Sequence, residues 1–175
     1  MNDKAIETIL HRHSCRAFLP GGEIPEEHLR ILMECLRWSP SAGNLQPWFF
    51  YIMKDQHKKQ ELARAAFRQN FIADAAITFV VCAEPEGSAA TYGKRGTTLY
   101  CIQDTAAAVE NLLLAATALG YGSCWIGAFN EEMARQALNI PLHLRPVAIV
   151  PVGPGKPIIR FPGRKDASEI FEFVE

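Results

Sequence analysis

Residues 99–119 read as one long helix that is apolar around most of its circumference. Ala106, Val109, Leu112, Leu113, Ala116 and Leu119 fill the greater part of it, while Gln103, Asp104, Glu110 and Asn111 gather on one side. A helix of this kind is buried in the middle of a fold or sits at a subunit interface. Gly120 supplies its C-terminal cap. The longest apolar runs, such as 112–119, fall well short of the ~20 residues of a membrane span. The covering must therefore come from the rest of the chain or from another copy. At 175 residues the chain has about one domain's length and can bury a core without disulfide or metal staples.

The remaining pattern supplies that covering. Residues 3–12 predict a short helix with Ile6, Ile9 and Leu10 on one face, followed by a break at Gly21 and Gly22. Pro25, Glu26 and Glu27 open a second helix, whose apolar face is Leu29, Leu32, Met33 and Leu36. Trp48 to Met53 predicts a strand. Asp55 caps a helix expected to run to about Asn70, and Ala76 to Ala83 predicts a second, buried strand. Residues 84–98, with three glycines and no clear period, read as a surface loop and candidate lid. A strand at Ser123–Phe129, a helix at 131–138 and a strand at Arg145–Val152 follow. The tail carries Pro154, Pro157 and Pro162 and ends in amphipathic Ile170, Phe171 and Val174. The strands are apolar on both faces, so helices should cover both sides of the sheet. The expectation is a mixed α/β sandwich of five helices and four strands, forming a single domain over residues 1–175.

Composition and motif searches exclude several classes of function. Eighteen basic and 19 acidic residues give a net charge of −1, so no global field draws nucleic acid. The five cysteines form no C-x-x-C pair and read as reduced thiols of a cytoplasmic protein. Met1 to Leu10 carries Asp3, Lys4 and Glu7 and no apolar signal core, and no membrane segment is expected. G-x-G-x-x-G, Walker A, H-E-x-x-H and G-x-S-x-G motifs are all absent; Gly155-Lys156 is followed by Pro157. His11, His13, His28, His57 and His143 show no metal-ligand rhythm, and no metal is expected. Without a ready nucleophile–base pair, an enzyme of this sequence needs a bound cofactor to carry its chemistry.

Three polar clusters remain. Arg12-His13-Ser14-Cys15-Arg16 can bring two guanidiniums and a hydroxyl to one anion; the alternative is a solvated basic helix end. In Pro40-Ser41-Ala42-Gly43-Asn44-Leu45-Gln46-Pro47-Trp48, two amides offer donor and acceptor groups suited to a flat heterocycle; the alternative is a structural turn. In the stretch 120–129, Gly127 permits a ligand to approach the main chain; the alternative is a helix cap followed by a strand.

Together these clusters resemble the FMN-binding nitroreductase family, from about Ile6 to Val174. The R-x-S-x-R opening matches Arg12, Ser14 and Arg16, and the P-S-x-x-N-x-Q-P-W loop matches Pro40, Ser41, Asn44, Gln46, Pro47 and Trp48. Ile102 to Ala108, leading into Gly120–Phe129, is similar to the family's central helix and following strand, and Arg145 to Gly153 to its last core strand. His13 stands where an arginine is common, and Gly127 where some members carry an acidic residue. Residues 84–98 leave little room for the helical excursion of larger members.

The resemblance implies an α+β fold with a central, mainly antiparallel sheet flanked by helices and a C-terminal tail that extends over the partner subunit. It implies a homodimer with FMN at the interface. Arg12, His13, Ser14 and Arg16 would contact the cofactor, with Ser41, Asn44 and Gln46 coming from the partner. The backbone at Gly127 and Ala128 would approach flavin N5, and Arg164 or Lys165 the phosphate. The implied activity is an NAD(P)H oxidoreductase, with NADH or NADPH as donor, which passes hydride through N5 to a nitroaromatic, quinone or related acceptor with ping-pong kinetics. Other tasks within the same resemblance are reductive dehalogenation and a non-enzymatic flavin-binding or regulatory module.

Overall fold

A computed structural model of the protein describes residues 3–156 and 163–174; Pro157 and Pro162 lie outside the described residues. Seven α-helices are found among them: α1 (Lys4–His11), α2 (Glu26–Arg37), α3 (Gln56–Ala65), α4 (Phe71–Asp74), α5 (Pro85–Arg95), α6 (Cys101–Ala118) and α7 (Glu131–Leu138). The strands are β1 (Trp48–Met53), β2 (Ile77–Ala83), β3 (Gly122–Ser123) and β4 (Arg145–Gly153). They form one antiparallel sheet in the order β1-β2-β4-β3, which is the α+β architecture expected.

β2 is buried along its whole length, and its alternating side chains feed two cores. Ile77, Phe79 and Val81, with Ala148, Val150 and Val152 of β4, pack against Leu29, Leu32 and Leu36 of α2 and Val109, Leu112 and Ala116 of α6. Val80, Cys82 and Ile149 face the other way, onto Leu62 and Ala66 beside α3, Ile72 of α4 and Ala134 and Ala137 of α7. Helices thus cover both faces. Pro146 lies where the β2–β4 register slips between Val81 and Cys82, a bulge that tolerates a residue with no N–H to donate.

Three expectations are corrected. The helix from Asp55 stops at Ala65, because Phe67 (φ 55°) and Arg68 (φ 63°) adopt left-handed backbone that a right-handed helix cannot contain; the chain restarts in α4 and inserts Ile72 into the second core. Residues 84–98 are not a loop: Pro85 starts α5 at its first turn, a kink at Gly93 (φ 54°, ψ −136°) interrupts it ahead of Lys94 and Arg95, and a π-helical turn at Gly96–Tyr100 joins it to α6. Nor is Ser123–Phe129 one strand. β3 has two residues, Ile126 makes a single bridge to Ile149, and the chain then leaves the sheet. With α4 and α5, the helix count exceeds the five expected.

Candidate functional site

Segment 14–19 behaves as an extra ribbon along the β3 edge. Ser14 bridges Ser123 in parallel and Phe18 bridges Gly155. The Cys15 N–H donates to Ser123 O at 2.8 Å, Lys156 N–H to Ala17 O at 2.9 Å and Leu19 N–H to Pro154 O at 2.8 Å. Cys15 is the wedge that seats this ribbon. A Cβ on Gly122 would lie 2.7 Å from its Sγ, and one on Gly155 2.8 Å away, so only glycine allows the approach.

This seating brings the first and third sequence clusters together. Cys15 turns inward, while Ser14 and Arg16 stay exposed. Burial raises the Cys124 thiol's pKa, while the Arg16 charge and the Ser14 hydroxyl oppose the rise. Cys82, in the second core, is pushed up to about 12 by burial, which keeps its thiol protonated and inert. Arg12 closes α1 and reaches Glu110 of α6 at 3.4 Å. His13 Nδ1 lies 3.0 Å from His11 O. Beyond β3, Gly127 and Ala128 are exposed, and nothing lies within 4 Å of where a Gly127 Cβ would sit. Gln69 Nε2 donates to Ala128 O at 3.3 Å, and Asn130 N–H to Ala65 O at 2.8 Å, fixing this strip of open backbone.

The second cluster forms a separate unit. Gly43 (φ 57°), Asn44 (φ 56°) and Gln46 (φ 52°) are all left-handed. The Asn44 N–H donates to Ser41 O at 3.0 Å, Gln46 N–H to Ser41 Oγ at 3.0 Å and Gln46 Nε2 to Asn44 O at 3.2 Å. Asn44 and Gln46 remain exposed. Two supports escaped the sequence reading. The Ala42 N–H donates to Asp104 Oδ1 at 3.0 Å, and the Tyr92 hydroxyl of α5 lies 2.5 Å from where a Gly43 Cβ would be. A carboxylate inside an otherwise apolar helix was the available signal for Asp104; for Tyr92 it was its place in the 84–98 segment read as a candidate lid, although the helix α5 was not foreseen. Burial raises the Asp104 pKa, and the Ala42 N–H opposes the rise.

Gly43→Ala should cost about 1–2 kcal/mol, because the left-handed backbone rather than the movable Tyr92 ring sets the penalty. The melting temperature should fall by roughly 2–8 °C. Adding Tyr92→Ala should recover little of the loss; full recovery would place the penalty in the Tyr92 contact instead.

Arg164 and Lys165 lie on the exposed C-terminal segment, where Arg164 Nη1 donates to Gly163 O at 3.1 Å. The segment's short 3₁₀ turn, Ala167–Glu169, buries no residue. No helix among the described residues is long and apolar enough to cross a membrane, and no group of three His, Cys, Asp or Glu residues there could hold a metal ion.

A family model described as Nitroreductase family matches residues 9–95 and 64–154, which include all three clusters. The chain belongs to the Nitroreductase family. With that membership it is an oxidoreductase enzyme. It is 31% identical over 155 residues to an Archaeoglobus fulgidus protein provisionally named NADH dehydrogenase/NAD(P)H nitroreductase, covering 86% of this chain and 85% of that one. It is 26% identical over 164 residues to the FMN reductase (NADPH) of Bacillus subtilis, covering 86% of this chain and 66% of that one. The fold superposes with a TM-score of 0.92 on a nitroreductase-like protein from Streptococcus mutans, over 100% of both chains at 20% identity, a likeness of fold alone.

Proposed function

We propose that the protein is an FMN-dependent NAD(P)H oxidoreductase that works as a homodimer in the cytoplasm. The observation that carries this reading is the ribbon 14–19 laid along β3. It sets Ser14 beside Ser123 and Arg16 near Cys124, with Arg12 just ahead of the ribbon in the chain and the open backbone of Gly127 and Ala128 a few residues past Cys124. This donor set fits FMN. Guanidiniums match a phosphate in charge and fork geometry, and open main-chain N–H groups suit a flavin edge. Arg12 and Ser14 would hold the phosphate and ribityl chain, with His13 beside them. Arg16 would sit at the pyrimidine edge, where its charge stabilises the anionic reduced ring. Arg164 and Lys165 would add charge to the phosphate. Bound FMN supplies the two-electron chemistry, taking hydride from NADH or NADPH and returning it to a nitroaromatic, quinone or related acceptor. A pocket used in turn by donor and acceptor gives ping-pong kinetics.

Ser41, Asn44 and Gln46 would reach the cofactor of the other copy. The loop hangs on Asp104 and Arg12 on Glu110. These anchors lie six positions apart on α6, about 9 Å along the axis and roughly 120° around it. That separation favours a site completed by two chains. The exposed apolar tail, with Phe171, Phe173 and Val174, would lie over the partner. Deleting residues 164–175 should therefore lower both FMN occupancy and dimer yield, and unchanged values of both would remove the tail from the assembly.

An anaerobic absorbance spectrum tests the central proposal. Bands near about 370 and 450 nm that bleach with NADH or NADPH are expected of a reducible flavin. Flavin bands that persist would leave the cofactor and remove the nicotinamide donor. A protein that stays colourless with added FMN would overturn the proposal.

A further inference from the structure

We infer that Asp104 is the positioning residue of this site: from within α6 its carboxylate holds the Ser41–Gln46 loop where Asn44 and Gln46 can serve a ligand. The inference rests on the proposal that this loop contacts the flavin.

Asp104 is the only buried carboxylate among the described residues, 7% exposed, on a helix layer shared with Cys101, Thr105 and Ala108. Its Oδ1 accepts the Ala42 N–H at 3.0 Å. Its Oδ2 is buried and has no hydrogen-bond partner among the described residues. A charge in such a place is costly unless it is paired, so packing alone gives no reason for it.

The loop supplies a reason. Two of its residues other than glycine, Asn44 and Gln46, hold left-handed backbone, a strain that persists only where the surroundings over-determine it. The bonds from Asn44 and Gln46 back to Ser41 set the loop's shape but not its place. Its place comes from three anchors. Asn111 Nδ2 of α6 donates to Ser39 Oγ at 2.9 Å at the near end. The Glu84 N–H donates to Pro47 O at 2.9 Å at the far end. Asp104 takes the middle, at the first residue of the 3₁₀ turn Ala42–Asn44. A hydrogen bond to a charged acceptor is roughly twice as strong as one to a neutral acceptor, which suits a single contact that must fix a strained turn. Asp104 itself is buried and acts through the Ala42 N–H rather than by touching a ligand.

The test is amide hydrogen exchange on the full-length, flavin-free protein, paired with FMN titration. Asp104→Ala should accelerate exchange at Ala42 by at least about thirtyfold while leaving Val109 and Leu112 of α6 unchanged, and should weaken FMN binding by about tenfold or more. Asp104→Asn keeps an acceptor oxygen and should restore binding to within about threefold of wild type, with Ala42 exchange raised only about threefold. If Asp104→Ala does not fold, the Asp104→Asn measurement stands alone, and an unchanged Ala42 rate there overturns the inference. So does equal acceleration throughout α6, or a loosened loop with undiminished FMN affinity. If the wild type binds no FMN, the flavin reading falls, and the amide exchange decides by itself whether Asp104 holds the loop.

Discussion

Arg12→Ala combined with Arg16→Ala is expected to give a protein that purifies folded but without flavin, its FMN affinity at least about a hundredfold weaker. Hydrogen bonds to charged groups contribute about 1.5–3 kcal/mol each, and two such donors removed correspond to roughly a hundredfold at the low end. The structural cost should be small. Arg12 meets Glu110 at 3.4 Å with 25% and 44% of the two side chains exposed, and pairs this open contribute about 0–1 kcal/mol. Arg16 is exposed. The ribbon that carries Arg16 and follows directly on Arg12 is held by main-chain bonds from Cys15 to Ser123 and from Lys156 to Ala17, which the substitutions leave in place. A melting temperature close to wild type together with lost FMN binding is the expected pair of results. Wild-type FMN affinity in the double variant would move the phosphate site away from this ribbon. Lysine at the two positions should restore only part of the binding, since it keeps the charge and loses the fork.

The sequence pattern located the layers because burial on two sides leaves a strong signature. Trp48–Met53 and the buried run at 77–83 are strands as expected, and α6 is the central helix that its apolar circumference required. The misreadings share a cause: local backbone features that hydrophobic periodicity does not register. The glycines at 87, 93 and 96 hid α5, although Pro85 marked its start, and Gly93 does interrupt it with a kink. Left-handed Phe67 and Arg68 cut a helix that periodicity extended to Asn70. Of the candidate site, the basic ribbon and the amide loop were visible as residue clusters. Their supports were not, because the Ala42–Asp104 and Arg12–Glu110 contacts span 62 and 98 positions of sequence. Only the folded chain shows that α6 carries both clusters from different sides.

That arrangement makes α1 the place to break the proposed dimer. Ile6→Glu combined with Leu10→Glu should yield monomers at micromolar concentration that do not retain FMN. α1 buries none of its residues within the chain, and Ile6, Ile9 and Leu10 are 59%, 55% and 72% exposed along one face. Beside it, Ala5, Ile9, Cys35, Trp38, Leu114 and Ala118 line an apolar groove of about 420 Å³ between α1, α2 and α6. A helix this amphipathic has little reason to fold onto the surface unless something covers its apolar face. In a two-fold interface each substitution counts twice. At about 1.5–3 kcal/mol for each large aliphatic side chain buried, two positions in two copies amount to roughly 6–12 kcal/mol, before the cost of burying the introduced charges. Leu142→Glu, at a side chain 89% exposed in the turn before β4, controls for added charge and should leave the assembly intact. Sedimentation velocity with flavin absorbance reads both quantities at once. A double variant that still sediments as a flavin-loaded dimer would exclude α1 from the interface. A monomer that keeps its FMN would show instead that one chain completes the site, and the assignment of Ser41, Asn44 and Gln46 to the other copy's cofactor would fall with it.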